Sequence, residues 1–144
     1  MKLKKILASV CLAAVCILPM GVIQASNPYG YPERLYGNPS LVLASYQMDT
    51  GRYVDTSSVV AQEYNPPQYQ LAANVISYDF RHNQEYETKT EYYRYNTKTG
   101  AVYVLFNGHW DGPYYSSDTT SSHMRLMDEA EIIWKTAYNM PWKW

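Results

Sequence analysis

The stretch YYRYNTKTGAVYVLF, residues 92–106, decides the fold because it predicts two β-strands joined by a short turn. Residues 97–100 form a four-residue loop, and Gly100 takes the left-handed position that residues with a Cβ atom avoid. This loop length sets the register of the whole hairpin. The predicted cross-strand pairs are Asn96 with Ala101, Tyr95 with Val102 and Tyr93 with Val104.

Alternation along the two strands divides this hairpin into two faces, because neighbouring side chains of a strand point to opposite sides. A loop longer by one residue would exchange the faces. The more apolar set is predicted to face the core and contains Tyr93, Tyr95, Val102, Val104 and Phe106. The opposite set contains Tyr92, Arg94, Tyr103 and Leu105.

Upstream segments continue the β pattern. LVLASY at residues 41–46 and RYVD at residues 52–55 predict an early hairpin about a turn at residues 49–51. After a break at YNPPQY, the stretch QYQLAANVISYDF at residues 68–80 has the β-branched and aromatic content of a long strand. Its two alanines leave a helix open as the alternative, and we favour the strand.

The C-terminal part changes to helical spacing after a polar, turn-rich connection at residues 107–122. Apolar residues then recur every three or four positions, residues 118–122 offer N-cap candidates, and Pro141 ends the pattern. The predicted fold is α+β, an antiparallel β-sheet with one C-terminal α-helix packed on one face. The predicted inner face of the helix contains Met127, Ala130, Ile133, Trp134, Ala137 and Tyr138.

The first 25 residues have a basic start, an apolar stretch and a small residue at the end, which is typical of a secretory signal peptide. Pro19 and Gly21 interrupt the apolar stretch, so cleavage before Ser26 is favoured over an uncleaved anchor. Valine precedes both Cys11 and Cys16, which disfavours lipid attachment. We therefore predict a signal peptide at residues 1–25, an extended lead at 26–40 and one α+β domain at 41–144. The predicted location is extracytoplasmic, with no membrane span after cleavage.

Composition excludes some classes of function. The 144-residue chain has 12 lysines and arginines and 13 acidic residues, and cleavage removes three lysines, leaving a formal net charge of −4. Nucleic-acid binding requires a basic footprint and is therefore not expected. Both cysteines leave with the signal, so the domain must be held by its own core. All 16 tyrosines remain.

Catalytic signatures are absent from the sequence, and we predict neither an enzyme nor a cofactor. The three histidines, His82, His109 and His123, are far apart and are interpreted as surface or loop residues rather than metal ligands. The acidic group of Asp128, Glu129 and Glu131 is interpreted as a solvated first helical turn, where negative charge suits the helix dipole.

The segment YVDTSSV, residues 53–59, resembles the short signature of the surface-adhesin protein E-like family of bacterial exported proteins. The order of a signature strand, longer strands with a YYRYNTKTG-type hairpin and a terminal helix also agrees. The resemblance implies a small sheet-plus-helix domain outside the cytoplasm and adhesion to host proteins. From the residues alone, Asp55 and the hydroxyls after it can bond the backbone and turn the chain.

The tyrosines admit two interpretations. Most fit a half-buried sheet surface, where the ring packs and the hydroxyl stays hydrated. The alternative is an exposed stacking surface for a protein or glycan partner. Two functions follow: an exported adhesion or protein-binding module, or a glycan-binding accessory protein of the cell envelope. The predicted partner-binding residues are Tyr92, Arg94, Tyr103, Trp110, Tyr114 and Tyr115.

Overall fold

A computed structural model describes residues 30–142 and contains one six-stranded antiparallel sheet and one C-terminal helix, which confirms the α+β class. The predicted signal peptide at residues 1–25 lies outside the described residues. A short 3-10 helix at Leu35–Gly37 precedes the sheet. The strands are β1 (Leu41–Gln47), β2 (Thr50–Asn65), β3 (Gln68–Asp79), β4 (Gln84–Asn96), β5 (Ala101–Phe106) and β6 (His109–Tyr114), and the helix is α1 (Ser121–Tyr138).

The six strands form a simple meander, in which each pairs with its sequence neighbours in the order β1 to β6. The register of the β4–β5 hairpin is the predicted one, with Tyr95 opposite Val102 and Tyr93 opposite Val104. Gly100 has φ +75°, the left-handed conformation that the loop requires. The long strand predicted for residues 68–80 is β3, and the helical alternative is wrong.

The larger core lies between α1 and the sheet. Tyr93 and Tyr95 are fully buried there, and the Tyr95 hydroxyl donates a 2.8 Å hydrogen bond to the Ala130 carbonyl of the helix. Two predicted core positions are wrong. Phe106 is 59% exposed because β5 ends there, and Ala137 is exposed one residue before the end of α1.

A second core lies on the opposite face of β1–β3, under the segment that precedes β1. Leu35 is 2% exposed, and the Tyr53 hydroxyl donates a 2.8 Å hydrogen bond to the Pro32 carbonyl. Packing therefore begins upstream of Leu41, within the predicted extended lead. This segment covers the β1–β3 half of the face opposite α1. The buried members of this core are Leu35, Leu41, Tyr53, Ile76 and Tyr78.

The YVDTSSV segment does not turn the chain but forms an irregularity within β2. The register with β3 shifts between Asp55 and Val60. Asp55 Oδ1 accepts hydrogen bonds from the Ser57 amide at 3.0 Å and from its hydroxyl at 2.5 Å, and Ser58 Oγ accepts one from the Asn74 amide. The predicted local bonds form, but they stabilise a bulge instead of a turn.

The segment predicted as a polar connection, residues 107–122, contains the sixth strand. Asn107 and Gly108 both have positive φ and make a two-residue hairpin turn into β6. The β5–β6 register shifts by one residue between Val102 and Val104, so Val104 opposes Asp111 whereas Val102 opposes Tyr114. This bulge moves Tyr114 to the face opposite that of Trp110.

Candidate functional site

The half of the sheet formed by β4–β6 carries aromatic residues on the face opposite α1. Arg94 pairs with Tyr103 across β4 and β5, and Trp110 of β6 pairs with Leu105. The guanidinium carbon of Arg94 lies 4.1 Å from the centroid of the Trp110 ring, a cation–π contact that bridges two strands. We call Tyr92, Arg94, Tyr103 and Trp110 the open-face patch. All four are partly exposed.

Close approach of β6 to Tyr103 depends on Gly112. This glycine has φ +133°, and a Cβ atom there would lie 2.9 Å from the Val102 carbonyl oxygen and 3.0 Å from Tyr103 Cδ1. A larger residue would therefore push β6 away from β5. Gly112 lies within the bulge of β6. The bulge therefore both places β6 against Tyr103 and turns the Tyr114 side chain to the other face of the sheet.

Arg94 differs in its partners from the three arginines that bond other side chains. Arg52 binds two glutamates, Arg81 binds Asp49, and Arg125 binds Gln47. Within residues 30–142, Arg94 forms no ion pair, and its contact is the Trp110 ring. Its guanidinium therefore keeps its hydrogen-bonding capacity while the indole holds it against the sheet.

Two predicted site residues do not belong to the open-face patch. Tyr114 is buried on the α1 side, contacts the His123 ring with 4.7 Å between centroids, and donates a hydrogen bond to Asp111. Burial, followed by that hydrogen bond, raises the pKa of Tyr114 to about 12. Tyr115 is exposed in the loop before α1, and its amide donates to Asp118 Oδ2 at 2.9 Å. The structure thus brings together four of the six predicted residues.

A second candidate site is a groove of about 860 Å³ on the α1 side of the sheet. Its lining includes the β1–β2 turn, the outer part of β4, the end of β5 and the first turns of α1. A concave site of this size, with converging polar side chains, is the usual form of a small-molecule site. The polar residues of the groove include Ser45, Arg52, Lys89, Glu91, Arg125 and Glu129.

A buried ionic network lies in this groove. Arg52 Nε donates to Glu129 Oε1 at 2.5 Å, and Nη2 donates to Glu91 Oε1 at 2.8 Å and to Glu129 Oε2 at 3.1 Å. The Tyr93 hydroxyl lies 2.8 Å from Glu91 Oε2 and 2.8 Å from Glu129 Oε2. Two strands, β2 and β4, and the helix therefore meet at these four side chains, which we call the Arg52 network.

The two carboxyls of the Arg52 network have pKa values shifted in opposite directions. A phenol has one proton, so Tyr93 can donate to only one carboxylate at a time, while Arg52 donates to both. Burial raises the pKa of Glu129 more than Arg52 lowers it. Burial also disfavours ionised Glu91, but Arg52, Tyr93 and Lys89 outweigh it and lower the Glu91 pKa. Of the two carboxyls, Glu129 is therefore the one whose protonated form is favoured by folding.

The prediction of a solvated acidic turn is wrong for Glu129. This residue is 3% exposed and lies in the third turn of α1, since the helix begins at Ser121. The sequence did contain a sign that Glu129 is buried, namely its position in the apolar stripe of the helix. It lies between Met127 and Ala130 and four residues before Ile133. A glutamate in such a stripe needs a buried partner, and its partner Arg52 lies 77 residues away.

The histidines lie at exposed or partly exposed positions. His82 Nδ1 lies 2.6 Å from Asp79 Oδ2, and this hydrogen bond raises the His82 pKa. His123 Nδ1 lies 3.5 Å from Asp118 Oδ2. His82 and His123 therefore each have a carboxylate neighbour, which the sequence did not reveal. Among residues 30–142 no group of three histidine, cysteine or acidic side chains could hold a metal ion.

Comparisons with protein-family models, with curated proteins and with solved structures return no match to this chain. In the described range, residues 30–142, no helix is long and apolar enough to cross a membrane.

Proposed function

We propose that this chain is an exported, non-enzymatic binding module that acts at or outside the bacterial cell envelope and binds a protein partner through the open-face patch. The signal-like N-terminus and the resemblance of residues 53–59 to the surface-adhesin protein E-like signature support the location. Both carboxylates of the Arg52 network bond Arg52 and Tyr93, which supports a structural rather than a catalytic role for that acidic pair.

The stack of Arg94 on Trp110 carries this proposal. A guanidinium held 4.1 Å above an indole loses less conformational freedom on binding than a free arginine. Arginine, tyrosine and tryptophan are also the residue types that contribute most to the affinity of protein interfaces. The patch combines all three types on neighbouring antiparallel strands.

A protein partner fits this patch better than a neutral glycan. Sugars bind proteins by stacking on an open aromatic face, and Arg94 covers one face of the Trp110 ring. Tyr114, which would have enlarged an aromatic binding surface, is buried on the other side of the sheet. The uncovered guanidinium instead favours a partner surface that presents a carboxylate among apolar groups.

The test is the affinity of the Tyr92→Ala/Tyr103→Ala variant for a partner captured from the cell envelope. Each truncated ring removes an interface anchor worth roughly 2 kcal/mol, so we expect about a thirtyfold loss of affinity or more. Arg94→Ala should weaken binding similarly, with stability kept within about 1 kcal/mol. Tyr64→Ala, an exposed tyrosine outside the patch, is the matched control. Unchanged affinity in the double variant, or a glycan-array signal that the patch variants abolish, would contradict a protein partner at this patch.

Export can be tested by the intact mass of the protein recovered outside the cytoplasm. Cleavage of residues 1–25 should give a chain that begins at Ser26 and contains no cysteine. Retention of the first 25 residues, or added lipid mass, would instead indicate a membrane-anchored protein and contradict the predicted processing.

A further inference from the structure

The groove on the α1 side has an apolar rim that packing within the domain does not explain. Three of the exposed large apolar side chains border it: Met48 is 83%, Tyr86 60% and Phe106 59% exposed. Phe106 lies at the end of β5, and Tyr86 lies on the part of β4 beyond the pairing with β5. Exposed apolar side chains gathered around a concave site indicate a ligand with an apolar surface.

The charged groups of the groove carry a net positive charge, although the mature chain is acidic. Its charged side chains are the three cations Arg52, Lys89 and Arg125 and the two glutamates Glu91 and Glu129. Three cations against two carboxyls leave a net charge of at least +1 (3 − 2) in the groove. Lys89 remains near Glu91 at 3.4 Å, and Arg125 bonds the neutral side chain of Gln47. The positive charges of Lys89 and Arg125 therefore complement an anion.

We propose that this groove binds a small amphipathic anion, an apolar chain that carries one carboxylate. The carboxylate lies between Lys89 and Arg125, and the chain packs against Phe106, Met48 and the apolar wall of the groove. The volume of about 860 Å³ is in the range of small-molecule sites and suits a ligand of this size better than a folded partner.

Two further features support a ligand in this groove. Ser45 in its lining is 6% exposed, and its Oγ has no hydrogen-bond partner among residues 30–142. A buried hydroxyl without a partner is uncommon in folded proteins. Ser122, near the start of α1, also lines the groove, so the positive end of the helix dipole adds to the charge of Arg125.

This site is distinct from the open-face patch, although both border the same strand. The groove lies on the α1 side of the sheet and the patch on the opposite side, with Tyr92 and Leu105 at the border of the two. Lys89, Arg125 and Phe106 belong to the groove and not to the patch. Substitutions at these three residues therefore test the groove without altering the proposed partner-binding residues.

The experiment is isothermal titration calorimetry of the mature protein with dodecanoate, below its micelle concentration and at neutral pH, with dodecanol as the uncharged comparison. We expect one dodecanoate per chain, bound at least about tenfold more tightly than dodecanol, a difference of about 1.4 kcal/mol. The Lys89→Gln/Arg125→Gln variant should lose this preference. Lys98→Gln/Lys135→Gln removes two exposed cations outside the groove and should keep it.

The apolar part of the proposal is tested by Phe106→Ser, which should weaken dodecanoate about fivefold or more while Met140→Ser, an exposed residue outside the groove, has no effect. Each variant is compared with wild type by urea unfolding, so that a loss of fold is not read as a loss of binding. Absence of binding, equal affinity for dodecanol, or affinity unchanged in the Lys89→Gln/Arg125→Gln variant would overturn the proposal. Tighter binding of a peptide with an apolar C-terminus than of dodecanoate would overturn the small-molecule assignment.

Discussion

Replacing Arg52 with methionine is expected to lower the free energy of unfolding by about 3–5 kcal/mol, the usual cost of removing one partner from a buried ionic network. Methionine keeps much of the side-chain volume but removes the three guanidinium hydrogen bonds to Glu91 and Glu129. Both carboxylates are more than nine-tenths buried, and Tyr93 alone cannot satisfy them. Urea unfolding measured at neutral pH checks this value.

A matched control is available in Arg81, whose ion pair with Asp49 lies at the surface. The side chains of Arg81 and Asp49 are 71% and 47% exposed, so Arg81→Met should cost less than about 1 kcal/mol. Adding Glu91→Gln and Glu129→Gln to the Arg52→Met variant should recover part of the loss, because no buried charge then remains. Equal effects of Arg52→Met and Arg81→Met would show that the Arg52 network contributes no more than a surface pair.

The pH dependence of the Glu129→Gln variant isolates the titration of Glu129. A carboxyl whose pKa is raised by folding stabilises the protein fully below its unfolded value, near 4.5, and this contribution is lost as the pH rises through the folded pKa. Glutamine cannot ionise, so the variant should gain stability relative to the wild type as the pH rises from about 4.5 to 8. Contributions from His82 and Asp79 are the same in both proteins and cancel. A difference that stays constant with pH would mean that Glu129 titrates at its unfolded value.

Glu91 shows the opposite dependence, since its pKa is lowered in the folded protein. Its contribution to stability is present above its unfolded value and is lost as the pH falls through the folded pKa. Glu129→Gln does not remove this acid-side loss, because Arg52 and Tyr93 still bond Glu91 in that variant. The two glutamates therefore limit stability on opposite sides of about pH 4.5.

Features that depend on local chain geometry were predictable from the sequence. A four-residue loop with glycine at its left-handed position allows one favoured pairing, so the register and the buried faces of Tyr93 and Tyr95 followed from residues 97–100. The helix was predictable for the same reason, because its period and its stop signals are local. Asn139, in the left-handed conformation, ends α1 two residues before Pro141.

Features that depend on distant residues were not predictable from one sequence. Glu129 has the same local pattern whether it faces water or a buried arginine, and only the fold brings Arg52 to it. Gly112 and Pro113 suggest a loop, yet they lie in a bulged edge strand that sends Tyr114 into the core. The lead before β1 lacks apolar periodicity, although Leu35 fills a space that the sheet leaves open.

Trp134→Ala is expected to cost about 3–5 kcal/mol, as large aromatic truncations in cores do, and so to leave this small domain largely unfolded. Trp134 is 5% exposed, and its ring centroid lies 5.1 Å from that of Tyr95, 4.5 Å from that of Tyr138 and 4.8 Å from that of Trp142. Alanine at this position leaves a cavity between β4 and α1. The strand and the helix cannot shift freely to fill it, because the Tyr95 hydroxyl is hydrogen-bonded to the Ala130 carbonyl of the helix.

The measurement is urea unfolding followed by far-ultraviolet circular dichroism, with Trp110→Ala as the matched control. Trp110 lies on the open face and packs on Arg94, so the same substitution there should cost less than about 1.5 kcal/mol. Trp134→Phe should recover part of the loss, since a smaller ring still contacts Tyr95 and Tyr138. A cost below about 1 kcal/mol for Trp134→Ala would mean that α1 adds little to the stability of the sheet. The α1 side would then be open as well, and the groove between α1 and β4 would no longer have a fixed wall.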